Sequence, residues 1–108
     1  MVQQTFMDRL RERWRAGHFV CVGLDSDILR LPERSPDDST KAAIQRFNEA
    51  IIDATSDLVA VYKPNIAFYE NCGAAGLEAL AATIRYIHDT APGAVSYTHL
   101  TLPTIYSV

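Results

Sequence analysis

The chain has 108 residues, 48% of them hydrophobic and 21% charged, and a net charge of −3. That length allows one small domain with a modest core, and the slight acidity argues against a nucleic-acid or anionic-membrane partner. The longest apolar run, Phe19 to Leu24, is far too short to span a bilayer.

The N-terminus shows no charged start followed by an apolar run and a small-residue cleavage site, so no signal peptide is read. Thr5 to Ala16 reads as a helix. Phe6, Leu10 and Trp14 recur every fourth residue, Thr5 can cap the start and Gly17 can supply a left-handed stop. Arg9, Arg11, Arg13 and Arg15 fall between the apolar positions and are expected on a solvated face. Phe19 to Leu24 is β-rich and has no polar residue, as in a parallel strand buried on both faces, with Gly23 a close-packing residue.

A loop broken by Pro32 follows. A second helix is expected from Ser35 as N-cap and Pro36 as first residue to about Thr55, with Ile44, Phe47, Ile51 and Ala54 on its apolar face. Leu58 to Tyr62 reads as a second buried strand, closed by Lys63-Pro64-Asn65 because proline cannot continue a ladder. Ile66 to Glu70 is a short connector with two aromatics, which a helical turn can fill. Gly73 and Gly76 mark a break before a last helix whose stripe is Leu77, Leu80, Ala81, Ile84, Ile87 and His88, ended by Pro92-Gly93. Ala94 is the expected first residue of a third strand.

Apolar strands alternating with amphipathic helices make βαβ units of an α/β fold around a parallel sheet. Two such strands cannot cover their own faces, whereas a barrel of eight units takes about 250 residues. The pattern is therefore that of the N-terminal part of a (β/α)8 TIM barrel, truncated at the start of the third strand.

The tail from Val95 to Val108 has a different character. Its first ten residues, Val-Ser-Tyr-Thr-His-Leu-Thr-Leu-Pro-Thr, match a translation of GTC TCT TAT ACA CAT CTG ACG CTG CCG ACG. That string resembles the end adaptor of transposase-made sequencing libraries. Residues 1–94 are thus expected to be the native segment and residues 95–108 an adaptor translation.

Candidate chemistry is sparse. Two cysteines, Cys21 and Cys72, are too few for a disulfide framework and are expected as reduced thiols of a cytosolic protein. Three histidines, His18, His88 and His99, lack ligand spacing, so no metal site is expected. Ser26 has neither a nearby histidine nor a glycine elbow, and Phe68 and Tyr69 read as packing aromatics. Gly73-Ala74-Ala75-Gly76 lacks the residues of a phosphate-binding P-loop and reads as helix initiation. What remains is Asp25 and Lys63, polar residues at the C-terminal ends of the two strands. In parallel α/β folds ligands bind at that edge. Such a pair can grip sugar hydroxyls or poise a proton. Equally, Asp25 can serve an Asx-turn and Lys63 can be a solvated charge.

Val22-Gly23-Leu24-Asp25-Ser26-Asp27, then Tyr62-Lys63-Pro64-Asn65-Ile66-Ala67-Phe68-Tyr69-Glu70, then Gly73-Ala74-Ala75-Gly76-Leu77 resemble the orotidine 5′-phosphate decarboxylase family, in its longer bacterial type. The similarity covers essentially all of Met1 to Ala94. It implies a (β/α)8 barrel acting as a cytoplasmic homodimer, which converts orotidine 5′-phosphate to uridine 5′-phosphate (UMP) in pyrimidine biosynthesis without metal or organic cofactor. It also implies that Asp25 holds the ribose and that Lys63 joins an Asp/Lys charge network under the ribose and the reacting carbon. The family's third-strand motif, Asp-x-Lys-x-x-Asp, should begin just after Ala94. Ser96, Tyr97 and Thr98 stand there instead, so the 108-residue chain is expected to be inactive. Two other readings remain: another phosphosugar decarboxylase of the same barrel, or a small non-enzymatic α/β module that binds partners, which would unfold cooperatively by itself.

Overall fold

The computed structural model describes residues 5–32 and 36–97. Its elements are α1 (Phe6–Arg15), β1 (Val20–Leu24), a 3-10 turn (Ile28–Arg30), α2 (Thr40–Thr55), β2 (Val59–Pro64), α3 (Ile66–Glu70), α4 (Gly73–Thr90) and β3 (Val95–Ser96). The strands form one parallel sheet in the order β1-β2-β3, with α2 leading from the first to the second and α3 and α4 from the second to the third. Sequential parallel strands joined by helices make a stretch of α/β barrel wall.

Helix α1 starts and stops where local chemistry dictates. The Thr5 hydroxyl accepts from Asp8 N at 3.1 Å and the Asp8 carboxylate accepts from Thr5 N at 3.2 Å, a complete capping box. Gly17, at φ +90°, makes the left-handed exit that a side chain would oppose. Phe6 and Leu10 pack on Ala60, Val61 and Val95 of the sheet. Two expectations for this helix fail. Trp14 is left 41% exposed. Arg13 turns inward, donating from Nη2 to the Val59 carbonyl at 2.8 Å, which staples α1 to the start of β2.

The capping box also sets a pH response. The Thr5 backbone N–H, followed by the Thr5 hydroxyl and then Arg11, holds the Asp8 carboxyl below its ordinary value of 3.8. A carboxylate depressed in the folded state adds stability above its unfolded value, and that stability is lost as pH falls through the folded value. The contribution is small because Asp8 is exposed and solvent screens it. A carboxyl-carbon NMR titration of Asp8 should give a midpoint below 3.8, and Thr5→Ala should move it upward. A midpoint at or above the ordinary value would remove the capping box from solution.

In the sheet, β2 is the central strand and only Lys63 among its residues is exposed. The β1–β2 register pairs Cys21 with Val61, Gly23 with Lys63 and Leu24 with Pro64, after a shift between Val20 and Cys21. Pro64 thus ends the strand as its last residue rather than lying beyond it, as befits a residue with no N–H to give. One face of the sheet carries Val22, Leu24 and Tyr62, packed with Ile52 and Ile87 of the helical layer. β1 departs from expectation. It is apolar, yet Val20 is 47% exposed and neighbouring Phe19 70%, because among the described residues β1 has a single strand neighbour. Gly23 does not pack closely either: a Cβ there would have no atom within 4 Å.

Helix α2 begins later than expected. Ser39, not Ser35, is the N-cap, accepting from Ala42 N at 3.1 Å, and Pro36 and Asp37 lie in a turn before it. Ser35 itself lies outside the described residues. Asp38 instead pairs with Arg46. The buried stripes of both long helices are also rotated from the apolar count. In α2 they are Ala43, Ile44, Asn48 and Ile52, while Phe47 and Ile51 are half-buried and Ala54 is exposed. In α4 they are Gly76, Ala79, Leu80, Thr83 and Ile87, while Leu77, Ala81 and His88 are exposed. α4 begins at Gly73, so Gly76 lies inside the helix and the expected break precedes it. Small residues at Gly76 and Ala79 let α4 lie close over α3 and α2.

Candidate functional site

Five polar side chains, Asp25, Ser26, Asp27, Lys63 and Asn65, gather where β1 and β2 end. Three have local structural duties. Asp27 caps the 3-10 turn, its Oδ1 accepting from Leu29 N at 3.0 Å. Asn65 caps α3 through Ala67 N at 3.2 Å. Ser26 is buried and bonds to Asn48. Asp25 and Lys63 differ: both are exposed, and among the described residues neither has a hydrogen-bond or ion-pair partner. The Asx-turn duty considered for Asp25 belongs to Asp27.

Their placement follows from the register. Lys63 pairs with Gly23, so the two share a sheet face, and Asp25 directly follows Leu24, the last residue of β1. This is the face opposite Leu24 and Tyr62, away from the helical layer. α1 covers its N-terminal end through Phe6 and Leu10 against Val61. At the C-terminal end Gly23 offers no side chain, which leaves room beside Lys63. An ammonium and a carboxylate at neighbouring strand ends, uncommitted to the fold, can engage a polar ligand from two sides.

Under this rim lies a polar cluster that sequence reading missed. The Ser26 hydroxyl donates to Asn48 Oδ1. Asn48 Nδ2 donates to the Tyr69 hydroxyl at 3.0 Å and to Thr83 Oγ1 at 2.9 Å. Tyr69 in turn donates to the Leu24 carbonyl at 2.7 Å, and Thr83 to the Ala79 carbonyl at 2.8 Å. Every proton has an acceptor and all four side chains are buried, so the network has one consistent direction. Burial pushes the Tyr69 hydroxyl above its ordinary value of 10.0, against the opposing pull of the hydrogen bond it accepts from Asn48. Tyr69 therefore stays a donor at neutral pH. The signal for this cluster was a polar residue, Asn48, standing four from Ile44 and four from Ile52 on one stripe.

Cys21 and Cys72 are free thiols, and no group of three or more potential metal ligands occurs among the described residues. His99 lies outside them. No helix among the described residues is long and apolar enough to cross a membrane.

Comparison with known proteins decides which family this arrangement belongs to. Over 73 residues, 68% of this chain, it is 56% identical to orotidine 5′-phosphate decarboxylase of Herpetosiphon aurantiacus. The chain belongs to the orotidine 5′-phosphate decarboxylase family. Against the decarboxylase of Bacteroides fragilis it is 42% identical over 92 residues, 85% of the chain. Among solved structures it superposes on Leishmania donovani OMP decarboxylase with a TM-score of 0.71 at 32% identity, covering 95% of this chain and 36% of that one. Leishmania donovani UMP synthase gives 0.72 at the same 32% identity, over 95% of this chain and 20% of that one. The matched sheet is a part of the decarboxylase barrel. The chain spans about a third or less of its curated relatives, 27% of the Herpetosiphon decarboxylase and 32% of the Bacteroides one. No family model matches it.

Proposed function

We propose that residues 1–94 are the N-terminal part of an orotidine 5′-phosphate decarboxylase, and that the whole parent protein converts orotidine 5′-phosphate to UMP in pyrimidine biosynthesis. The observation that carries this is the 56% identity to a decarboxylase over 73 residues. The open edge of β1 supports it. Phe19 and Val20 are exposed here, and a further strand of a closed barrel would cover them. In this reading the tail from Val95 is an adaptor translation.

In the proposed mechanism Asp25 holds ribose hydroxyls and Lys63 belongs to the charge network under the ribose and the reacting carbon. Loss of carbon dioxide leaves a carbanion on the pyrimidine ring. An ammonium fixed beside it stabilises that charge without reorganising at the moment of reaction. Binding the distant phosphate supplies energy for excluding water and closing loops. The homodimer and the cytoplasmic location of the parent belong to the same family reading.

The 108-residue chain itself is expected to be inactive, because Ser96 and Tyr97 occupy positions where the family's third-strand Asp-x-Lys-x-x-Asp begins. Assaying carbon dioxide release from orotidine 5′-phosphate by the purified chain should give the buffer rate, and any turnover above it refutes the inactivity. Library-free sequencing of the source DNA across the Ala94 codon tests the parent. A frame continuing into Asp-x-Lys-x-x-Asp supports it. Codons for Val95 to Val108 followed by a stop refute it.

A further inference from the structure

We infer that the buried Ser26–Asn48–Tyr69 network is a positioning device for Asp25, an inference that rests on the decarboxylase reading above. Asp25 lies just past the last residue of the sheet ladder, where Leu24 pairs with Pro64. Beyond that point no strand among the described residues pairs with its backbone. The network supplies the missing constraint on both sides of it. The Leu24 carbonyl, one residue before, accepts from the Tyr69 hydroxyl at 2.7 Å. The Ser26 hydroxyl, one residue after, is held by Asn48.

Asn48 closes the loop by donating to Tyr69 at 3.0 Å, so one amide ties the two clamps together. The clamps come from α2 and α3, each packed against α4, and their anchor atoms are buried. The carboxylate stays exposed, but the peptide units flanking it are set in one orientation before any ligand arrives. Preorganisation of this kind shows in ligand binding, because the ordering cost is met during folding. Thr83 is the control within the same network. It bonds Asn48 at 2.9 Å and touches neither neighbour of Asp25.

The test uses the full-length parent, with steady-state kinetics on orotidine 5′-phosphate. Tyr69→Phe removes the clamp on Leu24 and should raise KM about tenfold, the scale of one buried hydrogen bond, with kcat within about twofold. Ser26→Ala removes the other clamp and should raise KM in the same sense, which keeps the test intact if Tyr69→Phe fails to fold. Thr83→Val should lower the melting temperature but leave KM within about twofold. KM unchanged in both clamp variants, or raised equally by Thr83→Val, overturns the positioning role while leaving the decarboxylase reading untouched. An unsubstituted parent that releases no carbon dioxide overturns both.

Discussion

Gly76→Ala is expected to destabilise the fold by about 3 kcal/mol, the upper end of what overpacking a tight core costs. Helix propensity alone points the other way, favouring alanine over glycine inside a helix by about 1 kcal/mol. The tertiary contact wins. A Cβ at Gly76 would overlap the Tyr69 carbonyl oxygen and lie 2.8 Å from Cys72 Cβ. The oxygen is backbone and cannot rotate away, so α4 must lift from α3. That movement also disturbs Tyr69, whose hydroxyl serves the network under the rim. Gly23→Ala is the matched control. Nothing lies within 4 Å of its Cβ position, and its effect should stay within about 0.5 kcal/mol. Urea unfolding of the full-length parent separates the two. A Gly76→Ala protein as stable as the parent, or more so, would show that α3 and α4 are not in contact as described.

Lys63→Ala in the full-length parent should lower kcat/KM by about 10²–10³, the usual loss when one preorganised electrostatic group is removed. Lys63 is exposed and has no partner among the described residues, so its removal should leave the melting temperature nearly unchanged. That combination is the signature of a residue kept for chemistry and not for the fold. A large fall in stability with intact activity would instead assign it a structural role. Lys63→Arg should rescue poorly, because a planar guanidinium cannot occupy the point-charge position of an ammonium.

Much of this arrangement is legible in the sequence. The Thr5 start and Gly17 exit of α1 follow from cap chemistry confined to a few neighbouring residues, and the structure has both. The alternation of apolar runs with amphipathic helices specified parallel βαβ units, and the sheet is parallel in the order β1-β2-β3. Pattern and topology together put Asp25 and Lys63 at one sheet edge. Ser39 was missed as the cap of α2 because Ser35-Pro36-Asp37 carries an equally good local signal, and only the packing of the chain decides between two adjacent caps.

The rotation of the helices was decided by tertiary structure. Counting apolar residues placed Ala54 of α2 and Leu77 of α4 in the core, and both are exposed. The true stripes carry Asn48 and Thr83, which a hydropathy pattern assigns to water. Asn48 is tolerable in the core because Ser26, Tyr69 and Thr83 all bond it, and Thr83 because its hydroxyl also donates to the Ala79 carbonyl. Local sequence therefore determined which segments are helix and strand, where α1 begins and ends, and which polar residues reach the open edge. Only the tertiary structure decided which helix faces are buried, that Arg13 turns inward to Val59, and that the backbone on either side of Asp25 is held. The physical reason is the range of the forces. Caps and periodicity act over a turn or two of chain, whereas a buried polar group is stable or ruinous according to partners 21 and 35 residues away.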